Sequence, residues 1–230
     1  MLRCESVSKS YRMKGREFKA LDGVTLDVER GDFVSIVGRS GSGKSTLLLM
    51  LGGMLSPSAG KVFADGDSVY DLPVDARATW RRGCVGFVFQ TFNLIPYLTA
   101  VENVQVPLLL AGASDERQRS RAAELLDRMG LSDRLDHKPR ELSIGQQQRV
   151  ALARVMANDP AVILADEPTG NLDPETGQQV LAFLEEMNRE GRTVVMVTHD
   201  PRAAERAGRT LRLVDGRLTT ERPAQAHCKE

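Results

Sequence analysis

A glycine-rich stretch early in the chain has the residue types that bind nucleotide phosphates. It reads GRSGSGKST over residues 38–46, and its glycines allow tight turns in which backbone N–H groups point inward at an anion. Lys44 can reach the terminal phosphates and Ser45 can bind Mg²⁺. An ordinary glycine-rich turn is the alternative, and the lysine and hydroxyl residues argue against it. The predicted phosphate-binding residues are Gly38, Arg39, Ser40, Gly41, Ser42, Gly43, Lys44, Ser45 and Thr46.

An acidic pair ends the apolar segment VILADEP at residues 162–168. Asp166 can hold Mg²⁺, either through water or together with Ser45. Glu167 points the other way and can orient and deprotonate an attacking water. A solvated acidic pair at a strand end is the alternative, but a phosphate loop in the same chain favours the catalytic interpretation.

Two further polar residues come directly after apolar runs that read as strands. Gln90 follows VGFVF, and its amide can reach a metal ion or a water. His199 follows the run VVMVT at the carboxyl edge of the predicted sheet, where sites of α/β proteins form. A structural neighbour of a helix cap is the alternative for His199.

A second candidate anion site lies in ELSIGQQQRVALARV, residues 141–155. Ser143 with Gln146 three residues later predicts a capping box at the start of a helix. The positive end of that helix, with Ser143 and Gly145, can approach a phosphate closely. Ile144 interrupts the site, and because a β-branched residue rarely adopts positive φ, we predict that its φ is negative.

The elements that position these residues alternate between strand and helix. Apolar strands are predicted at 33–38, 85–89, 161–166 and 193–200, with helices near 43–53 and 174–190. This alternation predicts an α/β fold with a mainly parallel sheet covered by helices. Strand pairs near residues 1–30 and 60–70 predict an antiparallel sheet at one side, and Asp215–Gly216 predicts a hairpin turn.

The stretch from 100 to 158 contains no convincing strand and reads as a helical insertion. In it, residues 115–130 form an amphipathic helix that ends near Gly130. We therefore predict one domain. Its parts are a core from 1–90 and 159–222, a helical subdomain from 91–158, and a polar tail from 223–230.

Composition narrows the class of protein. The chain has 230 residues with 31 basic and 31 acidic side chains, so it lacks the overall basic field of a nucleic-acid-binding protein. Aromatic residues make up only 5% of the chain, which argues against a stacking platform for single strands. Cys4, Cys84 and Cys228 are odd in number and scattered, which indicates free thiols in a reducing compartment.

Neither end of the chain carries a targeting or metal-binding signal that we recognise. We expect no signal peptide, because residues 1–14 lack an apolar segment. The longest apolar stretch, 47–55, is about half a membrane span, so we expect no transmembrane segment and a cytoplasmic chain. His227 and Cys228 lie in the polar tail, which we interpret as frayed chain and not as a metal site.

The order of these pieces resembles the nucleotide-binding subunit of ATP-binding cassette (ABC) transporters, over nearly the whole chain. The pieces are Tyr11, GRSGSGKST, Gln90, LSIGQ, ILADEP, NLD at 171–173 and His199. FVFQTFNLIPYLTAVENVQVPLL and LADEPTGNLD further resemble the branch of lipoprotein-releasing, macrolide-exporting and cell-division cassettes. The resemblance implies a P-loop NTPase core with an antiparallel β subdomain and an inserted helical subdomain.

The resemblance also implies a role for each matching residue. Lys44, Gln90, Glu167 and His199 would be catalytic: Gln90 would sense the γ-phosphate through Mg²⁺, Glu167 would be the general base, and His199 would hold the γ-phosphate. Tyr11 would stack on adenine, and the alternative is that it is simply an exposed tyrosine on a strand. Asp173 would lie in a loop that crosses a subunit interface. The implied metal ligands are Ser45, Gln90 and Asp166, and the implied contacts to a neighbour's ATP are Ser143, Gly145 and Gln146.

As a family member, the chain would hydrolyse ATP with Mg²⁺ and work as a dimer. Two cassettes, identical or homologous, would pack head to tail around two ATP molecules. They would drive transmembrane permease subunits from the cytoplasmic face of the inner membrane, and nucleic acid would not be a partner. The cargo would be exported, or lipoproteins, peptides or macrolides would be extruded. A regulatory cassette that signals through a membrane partner without moving cargo is the alternative.

Two features refine this expectation. The usual family motif is Leu-Ser-Gly-Gly-Gln, so Ile144 replaces its first glycine and would leave Gly145 as the point of closest phosphate approach. An apolar run that reads as a loop, at Phe92, Leu94, Ile95, Pro96, Tyr97 and Leu98, would receive a cytoplasmic helix of the membrane partner. Packing inside the helical subdomain is the alternative for that run.

Other classes that use a phosphate loop fit the sequence less well. A DNA-repair or chromosome-organising ATPase would interrupt the cassette with a long heptad region, and a translation-factor protein would carry two cassettes. A simple P-loop kinase would lack LSIGQ and the set formed by Asp166, Glu167 and His199.

Overall fold

The computed structural model describes residues 1–13 and 16–220, without the side chains of Met13 and Thr220. The strands of this part are β1 (Leu2–Met13), β2 (Arg16–Val28), β3 (Phe33–Val37), β4 (Ala59–Ala64), β5 (Asp67–Ser68), β6 (Val85–Phe89), β7 (Val162–Asp166), β8 (Thr193–Thr198), β9 (Arg209–Val214) and β10 (Arg217–Thr220). The α-helices are α1 (Lys44–Leu51), α2 (Val74–Cys84), α3 (Ala100–Leu110), α4 (Asp115–Arg128), α5 (Ile144–Val155), α6 (Pro174–Arg189) and α7 (Pro201–Ala204). Single 3₁₀ turns occur at Ser132–Arg134 and Pro139–Glu141.

The chain divides into two compact units, of which the first combines Met1–Tyr70 with Leu184–Glu230. In this unit β3 pairs in parallel with both β8 and β9, and β9 turns back into the antiparallel β10. A separate antiparallel sheet has the order β2-β1-β4-β5. β3 and β8 are almost continuously apolar and buried, as strands covered on both faces must be.

The turn between β9 and β10 supports the glycine-rich loop of the first unit. The Gly216 N–H donates to the carbonyl of Ser42 at 3.2 Å, and the Asp22 N–H donates to the Gly216 carbonyl at 2.9 Å. Arg217 adds an ion pair to Asp22 at 2.7 Å, and this guanidinium, with Lys19, holds the pKa of Asp22 below its ordinary value. The hairpin that the sequence predicts around Asp215–Gly216 is thus present, and it contacts the loop directly.

The second unit, Asp71–Phe183, contains the predicted helical insertion. Helices α3, α4 and α5 pack on one another through apolar residues that are almost fully buried, among them Val104, Leu125, Leu126 and Val150. α5 also packs on β6, which pairs in parallel with β7. α4 ends at Arg128 and is followed by Gly130 at φ 66°, which confirms the predicted helix and its glycine stop.

The structure adds elements that the hydrophobic pattern does not predict. α2 has no buried residue, so no apolar periodicity marks it. The first four residues of β2, Arg16–Lys19, are likewise exposed, and only their pairing with β1 shows that they form a strand. Within the described residues, no helix combines the length and the apolar content that crossing a membrane requires. The predicted polar tail, with His227 and Cys228, lies outside the described residues.

Candidate nucleotide site

The glycine-rich loop joins the buried strand β3 to helix α1, as predicted. Gly41 and Gly43 have φ values of 80° and 100°, which L-residues with side chains rarely adopt. A Cβ at Gly43 would lie 2.3 Å from the carbonyl oxygen of Ala20, so only glycine fits there. Gly43 is also the N-cap residue of α1, and it brings no side chain to compete for the first N–H groups of the helix. The loop therefore forms a cradle of the kind that binds phosphate.

Lys44 lies within this cradle and is only 6% exposed. Its ammonium donates to the carbonyl of Gly38 at 2.8 Å and to that of Arg39 at 3.2 Å. Among the described residues, the buried hydroxyl of Ser42 has no hydrogen-bond partner. A buried polar atom without a partner fits a loop that is completed by a ligand. Ser45 is exposed at the start of α1, where the sequence places a metal ligand.

His199 comes directly after β8, beside the loop. Val37 at the end of β3 is in register with Thr198 at the end of β8, so the loop and His199 leave the sheet from neighbouring strands. The chain then turns sharply, because the Asp200 N–H donates to the Thr198 hydroxyl at 3.0 Å and Asp200 caps α7. His199 is exposed at this edge.

Tyr11 lies on β1 opposite an aromatic residue that the sequence analysis missed. It pairs in register with Phe18 of β2, and directly opposed residues of an antiparallel pair project from the same face. Both rings are exposed, Tyr11 by 39% and Phe18 by 57%. The Lys9 ammonium lies 5.5 Å from the centre of the Tyr11 ring and is anchored to the Ser56 carbonyl. Phe18 is identified by the register of β1 and β2, which cannot be deduced from either segment of the sequence alone.

In the second unit, the predicted acidic pair lies at the end of β7 beside Gln90. Phe89 and Asp166 are the last paired residues of β6 and β7, so Gln90 and Glu167 leave adjacent strands at the same edge. Glu167 has φ 45°, an uncommon conformation for a residue with a side chain. Its carbonyl accepts the Gly170 N–H at 3.0 Å, which closes a tight turn. Strained backbone of this kind clusters at active sites.

The Gln90 side chain packs into this turn. Its Nε2 donates to the Asn171 side-chain oxygen at 3.1 Å. A Cβ on Gly170 would lie only 2.9 Å from the same nitrogen, so the absence of a side chain there makes room for the amide. Asn171 belongs to the NLD segment, but neither Gly170 nor Asn171 is recognisable from the sequence alone as a neighbour of Gln90.

The second predicted anion site has the local geometry that the sequence indicates. Ser143 is the N-cap of α5, and the capping box with Gln146 is complete, with hydrogen bonds of 3.2 Å and 2.9 Å. Ile144 is the first residue of α5, is absent from the positive-φ residues, and exposes 62% of its surface. The prediction of negative φ is therefore confirmed. A Cβ at Gly145, the next residue of the helix, would lie 3.9 Å from the Thr176 hydroxyl, which is ordinary contact.

Asp173 has a clear local function at the start of α6. Its carboxylate accepts the Thr176 N–H at 3.0 Å, and its carbonyl accepts the Gly177 N–H at 2.9 Å. The hydroxyl and the backbone N–H of Thr176 hold the pKa of Asp173 below its ordinary value. Asp173 thus acts as a helix cap, and its predicted place at a subunit interface stays a prediction.

The apolar run after Gln90 is a loop, as predicted, and two side chains determine its shape. The fully buried Asn103 accepts the Ile95 N–H at 2.8 Å and donates to the carbonyls of Ile95, Leu98 and Thr99. Arg154 of α5 donates to the carbonyls of Phe92 and Asn93 at 2.7 Å and 2.8 Å. Burial lowers the pKa of Arg154, a cost that the two carbonyls offset. Within the loop, Tyr97 is exposed by 76%, whereas Leu94 and Leu98 are half-buried.

The predicted metal ligands have the chemistry that Mg²⁺ prefers. Ser45, Gln90 and Asp166 offer a hydroxyl, an amide oxygen and a carboxylate, which are all oxygen donors. In the part of the chain that the structure describes, no group of three or more His, Cys, Asp or Glu side chains can hold a metal ion by itself. Oxygen donors of these types fit an ion that arrives with a nucleotide, because Mg²⁺ usually combines one or two protein oxygens with phosphate oxygens.

Comparisons with known proteins identify relatives along nearly the whole chain. The chain is 46% identical over 221 residues to the macrolide export ATP-binding/permease protein MacB of Brucella melitensis, with 96% of this chain but only 34% of that protein covered. It therefore spans about a third of the length of that relative. The uncharacterized ABC transporter ATP-binding protein YvrO of Bacillus subtilis is 44% identical, and 96% of each chain is covered.

Solved structures give the same result. The dimeric structure of the bacterial ABC transporter cassette MJ0796 superimposes with a TM-score of 0.87 at 45% identity, covering 97% of this chain and 100% of that one. A second dimer of the same cassette, in a post-hydrolysis state with ADP and phosphate, also gives 0.87. The predicted α/β fold class is confirmed. The family description "ABC transporter" matches residues 21–170, and the chain belongs to the ABC transporter family as one of its ATP-binding cassettes.

Proposed function

We propose that this chain is the ATP-hydrolysing subunit of an ABC transporter, and that it powers transmembrane permease subunits of the export-type branch. The observation that carries the proposal is that the cassette motifs of the sequence, apart from Tyr11 within β1, lie where a strand ends or a helix begins. In the first unit these are the phosphate loop and His199, and in the second unit Gln90, Asp166 and Glu167. The match to YvrO, which is similar over nearly its whole length, supports a separate ATP-binding subunit.

The chemistry follows from the groups at these ends. The loop N–H groups and Lys44 bind the phosphates of ATP, and Tyr11 stacks on its adenine. Ser45, Gln90 and Asp166 would hold Mg²⁺, which would neutralise charge on the phosphates. Glu167 accepts a proton from the attacking water, while His199 holds the γ-phosphate in place.

A head-to-tail dimer explains why the chain has a second anion site. The capped start of α5 presents its positive end with Ser143 and Gly145, and Gln146 completes the cap. In the proposed dimer this end contacts the ATP bound to a second copy or to a homologous cassette, and Asp173 lies near the interface. The dimeric structures of MJ0796 support a dimer of this cassette, and the head-to-tail arrangement is part of the proposal.

The membrane partner and the cargo are inferred from the relatives. MacB proteins are named for macrolide export and combine an ATP-binding part with a permease in one protein. We infer that the present cassette works with permease subunits at the cytoplasmic face of the membrane, through the loop that contains Tyr97. The helical subdomain from 91 to 158 would transmit the motion.

The proposal is tested with the purified chain and with membranes from its source organism. We expect Mg²⁺-dependent ATP hydrolysis that Lys44→Ala abolishes. The Glu167→Gln variant with ATP should also retain a multispan permease from detergent-solubilised membranes, whereas Lys44→Ala/Glu167→Gln should not. ATP hydrolysis no faster than that of Lys44→Ala would overturn the proposal. If substrate transport by the reconstituted permease is independent of ATP, the cassette is regulatory.

A further inference from the structure

A hydrogen bond to Asn171 orients the Gln90 side-chain amide at the edge where β6 and β7 end. This bond determines whether the amide nitrogen or the amide oxygen faces the proposed nucleotide site. An amide side chain has a donor end and an acceptor end of nearly equal size. The Gln90 Nε2 donates to Asn171 Oδ1 at 3.1 Å, so the nitrogen is directed toward the turn that follows β7. The amide oxygen is then the end that remains for a cation, and a cation requires that end because the nitrogen has no lone pair to offer.

The turn itself provides the space for this arrangement. A Cβ at Gly170 would lie 2.9 Å from the Gln90 Nε2 and 3.4 Å from its Cδ, and would push the amide away. The Gly170 N–H is bonded to the carbonyl of Glu167. One short turn therefore connects the backbone of the proposed general base with the place where Gln90 lies.

The chain on the other side of Gln90 is also anchored. Arg154 binds the carbonyls of Phe92 and Asn93, two and three residues beyond Gln90. β6 ends at Phe89, directly before Gln90, so the chain is held on both sides of this residue. The Asn171 oxygen is the protein contact that selects one of its orientations.

We propose that Asn171 is a positioning residue, which together with the space left by Gly170 orients the Gln90 amide so that its oxygen binds the nucleotide-associated Mg²⁺. The inference rests on the proposed function of Gln90 as a metal ligand. In the proposed site, Asn171 itself touches neither the metal nor the nucleotide. It acts through Gln90 alone.

Each variant is titrated with ATP once in the presence of Mg²⁺ and once in EDTA. The quantity compared is the ratio of the two affinities, which we call the Mg²⁺-dependent increment. All variants carry Glu167→Gln, so that binding is measured without hydrolysis. Asn171→Leu introduces a side chain of nearly the same size that has no hydrogen-bond acceptor. It should leave the affinity in EDTA within about two-fold and reduce the increment about five-fold, the effect of losing one hydrogen bond. Gly170→Ala should act in the same direction.

Two variants serve as controls. Thr169→Val changes a neighbouring residue whose side chain lies beside Gly177, and it should keep the full increment. In the Gln90→Ala background, Asn171→Leu should have no further effect, because the residue through which it acts is gone. Additive losses in that double variant would overturn the inference.

The remaining outcomes separate the inference from the function on which it rests. If Gln90→Ala leaves the increment unchanged, Gln90 does not bind the metal, and both the role of Gln90 and the inference are wrong. If Gln90→Ala removes the increment while Asn171→Leu and Gly170→Ala keep it, only the inference is wrong. An equal loss of affinity in EDTA and in Mg²⁺ would also overturn it, since Asn171 would then act on the fold or on the nucleotide.

Discussion

Phe89 and Asp166 are paired in register at the ends of two parallel strands, β6 and β7. Because parallel strands end at a common edge, Gln90 and Glu167 emerge side by side, although they are far apart in the sequence. This pairing brings a proposed metal ligand and a proposed general base together without any contribution from the helices.

Glu167 should be essential for hydrolysis but not for binding. We expect Glu167→Gln to lower the rate of ATP hydrolysis by at least about 100-fold, because a general base contributes 100-fold or more. The variant should still bind ATP and should form an ATP-dependent dimer in size-exclusion chromatography. Glu175→Gln, an exposed change in the first turn of α6, is the matched control. Hydrolysis by Glu167→Gln at near the wild-type rate would show that another group is the base.

Tyr11 and Phe18 should both contribute to binding of the adenine base. Their rings project from one face of the β1–β2 pair, and Lys9 lies over the Tyr11 ring. We expect Tyr11→Ala to weaken ATP binding about ten-fold, since stacking of a base on an aromatic ring contributes about 1–3 kcal/mol. Phe18→Ala should weaken it less, and Phe18→Leu tests whether a ring is required. Wild-type affinity in Phe18→Ala would exclude this residue from the base site.

Ile144→Gly should change the interface without relieving strain. The isoleucine already has helical φ, so the substitution should lower stability by about 0.5 kcal/mol, the difference in helix propensity. Urea denaturation measures this change, and an increase in stability would contradict the assigned backbone. Because the fold is hardly affected, any change in ATP turnover reports on the exposed side chain at the proposed dimer interface. Ile144→Ala shortens the side chain while it keeps the helix.

Asp173 should stabilise α6 in a pH-dependent way. Its folded pKa lies below the unfolded value, so its stabilisation is complete above the unfolded pKa and is lost as pH falls through the folded pKa. We expect Asp173→Ala to be less stable than wild type at neutral pH, and the difference to shrink in acid, where the protonated carboxyl keeps only a neutral acceptor. Asp173→Asn keeps a neutral acceptor, so its stability relative to Asp173→Ala should not change with pH. Urea midpoints from about pH 7 to about pH 3 test both expectations.

A substitution at Tyr97 tests the proposed docking loop most directly. Leu94→Glu and Leu98→Glu should also uncouple the membrane partner from ATP hydrolysis, but both residues are half-buried, and a charge there also strains the fold. Tyr97→Glu changes a side chain that is mostly exposed and should reduce partner binding at least about ten-fold, as loss of an aromatic anchor does. Its basal ATPase rate should stay unchanged. Met54→Glu, another exposed apolar residue, is the control, and undiminished co-purification of Tyr97→Glu would argue against the loop.

Much of this protein could be predicted because its motifs are local. The phosphate loop and the capping box at Ser143 each depend on residues that are close together in the chain. The buried strands could be recognised because residues covered on both faces must be apolar. α2 was missed for the opposite reason, since it buries no residue.

The sequence by itself determined which chemical groups the chain has, their order, and the cassette class that this order indicates. Only the tertiary structure decided which distant groups meet. The pairing of Tyr11 with Phe18 depends on strand register, and the hydrogen bond from Gln90 to Asn171 joins residues that follow two different strands. Such contacts depend on how strands align, and that alignment is determined by packing of the whole sheet and not by any single segment.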